Sequence, residues 1–117
     1  MGHFFLRPGQ FDKEIECSEK GLAIALEVGD RDGQGTAYGS MGNAYFSLGQ
    51  VDKALEYTQK HLAFALEVGD RAGQGKTCGN IGNAYRRLGQ FEKALEYLEK
   101  HLGIALEMGD HAVEGKA

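Results

Sequence analysis

The chain is poor in the residues that break helices or staple loops. Its 117 residues include one proline, Pro8, and two cysteines, Cys17 and Cys78. Proline deletes a backbone donor and clashes with the preceding helical turn, so a chain with a single one, close to an end, is free to be helical along most of its length. The cysteines form no C-x-x-C pair and do not recur at equivalent places, which argues against a disulfide framework or a cysteine metal clip; both are read as buried or half-buried thiols. Long hydrophobic runs are missing too. No apolar stretch approaches the roughly 18 residues of a membrane span, and the opening MGHFFLRPG is too short for a secretory signal. The expectation is a soluble, cytoplasmic protein. No charge sign dominates either: 13 Lys and Arg stand against 17 Asp and Glu, a formal net charge of -4. Duplex nucleic acid selects a clustered cationic excess, so it is not the expected partner.

What the chain has instead is repetition. From Gly49 it reads GQVDKALEYTQKHLAFALEVGDRAGQGKTCGNIGNAYRRL, and from Gly89 GQFEKALEYLEKHLGIALEMGDHAVEGKA. From Gly9 the same text appears as GQFDKEIECSEKGLAIALEVGDRDGQGTAYGSMGNAYFSL, so the period is 40 residues. A period of roughly 20 to 50 residues signals a stacked array in which each unit buries its apolar face only against its neighbours.

Each unit holds two apolar stripes of helical period. The longer helix, B, is expected from about Gln50 to Val68, with Val51, Ala54, Leu55, Leu62, Ala65 and Leu66 on one face. Tyr57, His61, Phe64 and Val68 form a second stripe beside it, so helix B should be wedged between two neighbours. The shorter helix, A, is expected from about Ala72 to Arg87, with Cys78, Ile81, Tyr85 and Leu88 facing inward, and its twin presents Tyr38, Met41, Tyr45 and Leu48. Gly69 supplies the left-handed residue that closes helix B and Asp70 caps the next helix; the Gly-Asp turn recurs at Gly29-Asp30 and Gly109-Asp110. Helix A carries Gly73, Gly75, Gly79 and Gly82, each costing about 1 kcal/mol against alanine in a helix interior. Close helix approach at Gly42 and Gly82 offsets that cost, while Gly73 and Gly75 are expected to fray.

Aligning MGHFFLRPGQ with MGNAYFSLGQ, and HAVEGKA with RAGQGKT, starts the chain halfway through a helix A and ends it near the start of another. The expected order is half A, B, A, B, A, B and a fragment of A, divided as 1–28, 29–68, 69–108 and 109–117. The ends are nearly complementary. They suggest head-to-tail stacking in which Phe4 and Phe5 of one copy join a composite helix A over Tyr97, Ile104 and Met108 of the next, a heterologous contact that need not close.

Apparent catalytic motifs fail on inspection. Gly69 to Thr77 reads GDRAGQGKT, but a phosphate loop needs four residues between its first glycine and the GK[ST] ending, after a strand; here there are five, after a helix. Nucleotide binding at 69–77 is therefore the weakest reading. Gly33, Gly35 and Gly39 have no parallel-sheet unit around them. His61 and His101 lie one unit apart, roughly 10 Å in a stack, too far to share a metal whose ligand bonds are about 2 Å; they are read as packing residues. Glu56-Lys60 and Glu96-Lys100 have i, i+4 spacing and read as a solvated face. No nucleophile-base arrangement recurs between units, no cofactor is implied, and the chain is not read as an enzyme.

Ile81-Gly82, Tyr85 and Ala94, with their counterparts Met41-Gly42, Tyr45 and Ala54, resemble the signature of the tetratricopeptide repeat. The 40-residue period with G-N-A-Y, L-G-Q and A-L-E-x-G-D is similar to the long-repeat subgroup of the Pins/LGN polarity adaptors. The resemblance implies an all-α, right-handed helical solenoid of antiparallel helix pairs whose A helices line a concave groove. Departures are Tyr38 and Cys78 in place of the family's tryptophan, His61 and His101 in place of alanine, and Glu14 at the place of Ala54 and Ala94. The groove would present Asn43, Asn80, Asn83, Lys76, Arg86, Arg87 and Phe46, with Thr36 and Ser40. Asparagine both donates and accepts, so a row of them can serve the backbone of an extended peptide, and the cations favour Asp, Glu or a terminal carboxylate. Co-chaperone members of the family clamp a C-terminal carboxylate; Asn43, Asn80 and Lys116 match three of those positions, but Gly39 stands where a lysine is required. The reading is a protein-protein interaction scaffold that binds an extended, acidic peptide, with the self-associating array as its alternative.

Overall fold

The structure, a computed structural model, describes residues 8–116. Among these there are five helices and no strand: α1 (Pro8–Val28), α2 (Arg31–Ser47), α3 (Val51–Val68), α4 (Arg71–Arg87) and α5 (Phe91–Lys116). In order they are B, A, B, A and B, and the boundaries of α3 and α4 fall within a residue of those read from the sequence. The half helix A expected at the N-terminus, with Phe4 and Phe5, lies outside the described residues. Two compact units, Met1–His61 and Leu62–Ala117, divide the chain inside α3.

Glycine turns of one backbone pattern join the helices. After α3, Gly69 takes φ 74°, the Gly69 amide donates to the Leu66 carbonyl at 3.3 Å and the Asp70 amide to the Ala65 carbonyl at 2.9 Å. This pair of bonds closes a helix on a left-handed residue. Asp70 then accepts the Gly73 amide on its carboxylate at 2.9 Å, covering one of the donors left open at the start of α4. Buried Gln74 reaches back, donating from Nε2 to the Ala65 carbonyl at 3.3 Å while its Oε1 accepts from Arg71 at 3.0 Å. The first unit repeats this with Asp30, Gly33, Gln34 and Ala25. The turns at Gly49 and Gly89 are closed by the same pair of bonds, from the Gly49 and Gly89 amides to the Phe46 and Arg86 carbonyls, both at 3.0 Å, and from the Gln50 and Gln90 amides to the Tyr45 and Tyr85 carbonyls, both at 2.9 Å.

The expected turn at Gly109-Asp110 is not made: α5 continues through both residues to Lys116. Positive φ occurs at Gly29, Gly49, Gly69 and Gly89 and at no other described residue. The two devices that stabilise the other Gly-Asp turns are missing from the sequence here. Val113 stands where Gly73 does, and a Cβ on Gly73 would collide with the Asp70 carboxylate. Glu114 replaces Gln74, and an ionised carboxylate can only accept, so it cannot donate to the carbonyl that Gln74 serves.

In the first unit, Ile15 of α1 packs with Ala37, Met41, Ala44 and Tyr45 of α2 and Ala54 of α3. Tyr57 stacks on Tyr45 at 5.6 Å and 9°, and burial beside that ring pushes its phenol pKa up. In the second, Cys78, Ile81, Ala84 and Tyr85 of α4 and Ala94 and Ile104 of α5 are buried, with Tyr85 stacked on Tyr97 at 5.8 Å.

The glycines of α4 explain how near α5 comes. A Cβ on Gly75 would lie 2.8 Å from Ile104, one on Gly79 3.0 Å from His101, and one on Gly82 2.7 Å from Leu98. Gly42 of α2 meets Thr58 of α3 in the same way, at 2.7 Å. Gly73 and Gly75, expected to fray, lie inside α4, where one donates to the helix cap and the other is buried under Ile104. Cys17 corrects another expectation, since its thiol is exposed and only that of Cys78 is buried. On the same side of α1, Ile24 is 61% exposed, whereas its counterpart Ile104 is 7% exposed against α4. Glu14 is exposed where Ala54 and Ala94 are buried, which explains why a carboxylate is tolerated.

Two outcomes follow. Gly75→Ala lowers the urea-unfolding free energy despite the gain of about 1 kcal/mol in helix propensity, because the β-branched Ile104 cannot move aside; Gly21→Ala, with nothing within 4 Å, raises it. Val113→Gly combined with Glu114→Gln installs both turn devices, and backbone chemical shifts then show Gly109 left-handed and α5 ending near Met108.

Candidate functional site

Lys76, Asn80 and Asn83 are spaced i, i+4 and i+7 on α4 and therefore share one face. The glycine row beside them packs on α5, so the polar residues flank a shallow depression of about 380 Å³ between the two helices. His101, Ile104 and Met108 of α5 form its other wall. Three of the residues expected in a groove are thus brought together. Lys76 and Asn80 are exposed and Asn83 is half-buried. Arg86 joins them from the next turn, donating from Nη2 to Asn83 Oδ1 at 3.3 Å. That bond orients the amide: with Oδ1 held by a cation, the Asn83 NH₂ group is presented as a donor. Arg86 and Arg87 lie in the last turn of α4, where the carbonyl ends of the helix favour cations. Among the described residues no carboxylate lines the depression.

The remaining expected residues are placed differently. Arg87 is exposed at the end of α4, and Asn43 is exposed on α2 in the first unit. Phe46 is half-buried and packs against the first unit's core. Thr36 and Ser40 line a second depression, of about 450 Å³, with Cys17, Gly21 and Ile24 of α1. Of the residues assigned to self-association, Tyr97 is stacked on Tyr85 and Ile104 is covered by α4, whereas Met108 is 43% exposed. Since α5 does not turn at Gly109, residues 110–116 do not contribute a new helix A to the composite that head-to-tail stacking required.

His101 is the site residue that sequence reasoning missed. Its Nδ1 lies 2.7 Å from the Gly75 carbonyl, and His61 makes the matching contact with Gly35 at 2.8 Å. A carbonyl can only accept, so Nδ1 carries the proton and donates. The other nitrogen of His101, Nε2, belongs to an exposed ring that lines the depression beside Asn80 and Asn83. The signal was present in the sequence, because histidine recurs at one place in two copies, each one helix after a glycine pair four residues apart, Gly35 with Gly39 and Gly75 with Gly79.

Among the described residues no group of three or more His, Cys, Asp or Glu side chains is placed to hold a metal ion, and no helix is long and apolar enough to cross a membrane. The stretch 69–77 is a helix cap followed by the first turns of α4. Its glycines are committed to the Asp70 cap and to Ile104, an arrangement that does not curl successive amides around a phosphate.

Comparison with known proteins agrees with this architecture. No curated protein matches the sequence. Among solved structures, the crystal structure of the TPR domain of Arabidopsis FLU matches with a TM-score of 0.78 at 24% identity, over 92% of this chain and 89% of that one. The fold is an all-α tetratricopeptide helical solenoid, and repeats of this kind mediate protein-protein interaction. The profile of the tetratricopeptide repeat matches residues 34–107, and the chain belongs to that family.

Proposed function

We propose that this chain is a non-enzymatic scaffold that binds an extended, acidic segment of another protein along the exposed face of α4. The observation that carries the reading is the convergence of Lys76, Asn80 and Asn83, with Arg86 bonded to Asn83 and His101 opposite, on a depression that no carboxylate lines among the described residues. An extended peptide presents a backbone donor and acceptor at every residue, and asparagine amides can pair with both whatever the side chains. Asn83, its oxygen held by Arg86, donates to a peptide carbonyl. Lys76 and the remaining guanidinium donors of Arg86 select carboxylates. The site is open and shallow, which suits a transient contact with several side chains better than a deep small-molecule pocket. The 40-residue period and the G-N-A-Y and L-G-Q segments support placement with the long-repeat subgroup that includes the Pins/LGN adaptors.

The test is fluorescence anisotropy with labelled, unstructured peptides containing Asp and Glu, beside versions carrying Asn and Gln. Arg86→Glu weakens the acidic peptide at least about tenfold, equivalent to about 1.4 kcal/mol, and Asn83→Ala about fivefold through the loss of one hydrogen bond of about 1 kcal/mol. Rising salt weakens the acidic peptide more than the neutral one. Equal binding of the two peptide sets, or wild-type affinity in both variants with unchanged helicity, would refute the reading.

A further inference from the structure

A third cavity, of about 510 Å³, lies on another face of α4, lined by Leu62 and Leu66 at the end of α3, by Arg71, Gln74 and Cys78 of α4, and by Lys100, Gly103 and Ile104 of α5. Ile104 also borders the depression described above, so it stands between the two. The repeat shows what this cavity is. One period earlier, the eight lining positions carry Leu22, Leu26, Arg31, Gln34, Tyr38, Lys60, Ala63 and Phe64. Five are identical. The three that differ all become smaller around this cavity: Tyr38 gives way to Cys78, Ala63 to Gly103 and Phe64 to Ile104. Random drift would not be expected to shrink every variable wall of one space.

The first unit also shows the chemistry that fits. There the Tyr38 ring stacks on Tyr57 at 6.4 Å with 28° between planes, and the Lys60 ammonium lies 5.7 Å from its centroid. In the second unit both partners of that ring persist as Tyr97 and Lys100, which rest on each other at 4.7 Å, as Tyr57 and Lys60 do at 5.6 Å in the first. Cys78 is 4% exposed, and Gly103 has nothing within 4 Å of where a Cβ would be. The rim is built: Arg71 is fixed by Glu107 at 3.0 Å and by Gln74 at 3.0 Å, leaving apolar walls below a cationic edge.

We propose that this cavity is a binding site for a small phenolic ligand, whose ring lies between Cys78, the counterpart of Tyr38, and the Lys100 ammonium. The apolar walls Leu62, Leu66 and Ile104 desolvate the ring. Lys100 supplies the cation that an aromatic face attracts, a contact worth about 0.5 to 2 kcal/mol depending on its exposure. This site is independent of the peptide reading, since it uses a different face of α4 and neither Asn83 nor Arg86.

The probe is p-cresol, the tyrosine side chain as a free molecule, applied to the full chain carrying Cys17→Ser so that Cys78 is the one remaining thiol. Two signals are followed in the same titration: methyl chemical shifts of Leu62, Leu66 and Ile104, and the rate of Cys78 modification by a soluble aromatic disulfide. p-Cresol shifts those methyls with one saturation curve and slows modification, by about tenfold at a concentration about ten times its dissociation constant. Cys78→Tyr fills the space from within, raises the melting temperature and abolishes the methyl shifts. Gly103→Ala, which leaves α5 intact, weakens p-cresol by narrowing the wall. Absence of methyl shifts and of thiol protection at millimolar p-cresol would overturn the proposal, as would a Cys78→Tyr variant that folds and still binds p-cresol as the Cys17→Ser parent does.

Discussion

A histidine laid across a glycine holds each short helix to the long helix after it. The ring of His61 rests on Gly39 and that of His101 on Gly79, where a Cβ would come within 3.3 and 3.0 Å of the imidazole. Each ring then donates from Nδ1 to a carbonyl one turn earlier, Gly35 or Gly75. Those carbonyls lie within their helices, and a second donor uses the lone pair that the helical bond leaves open. Any side chain at Gly39 or Gly79 would lift the ring off the helix and lengthen the bond. The glycines therefore exchange helix propensity, about 1 kcal/mol each, for a contact with geometry as well as area. Gly42 and Gly82 continue the same row against Thr58 and Leu98.

The candidate peptide site follows from that row. Because the glycine edge of α4 is occupied by α5, the adjacent Lys76, Asn80 and Asn83 are left at the lip of the depression instead of in the interface. His101, fixed by its bond to Gly75, contributes the facing wall. The same contact that closes the helix pair thus determines which polar atoms remain for a partner. On the other face of α4, Cys78 stands where the first unit has Tyr38 and lines a cavity. Two nearly identical copies therefore differ in what they offer at the surface, though their backbone turns and caps are the same.

Much of this was legible in the sequence because the signals are local and repeated. The 40-residue period, the apolar stripes and the Gly-Asp pairs fix five helices and most of their ends. The stripe of Lys76, Asn80 and Asn83 could also be read, since i, i+4, i+7 spacing settles which face they share. The role of His101 could not, because it depends on a carbonyl 26 residues away and on which nitrogen carries the proton. Gly109 shows the opposite failure: the Gly-Asp pair alone reads as a turn, while the residues that stabilise one, a glycine three positions after the aspartate and a glutamine after that, are absent at Val113 and Glu114. Gly75 was placed in a fraying first turn because distance from the helix start is visible in the sequence and the ring of contacts around Ile104 is not. Cys17 was misread for a similar reason, since its exposure depends on what covers α1 and not on its own helix.

The most direct measurement is a long-range proton-nitrogen correlation spectrum of the imidazoles of His61 and His101 at a pH where both are neutral. The account predicts that each is protonated at Nδ1, with Nε2 showing the shift of an unprotonated ring nitrogen. A proton on Nε2 in both rings would mean that neither donates to the glycine carbonyl, and the contact on which the helix pairing and the exposed row of α4 both depend would not exist.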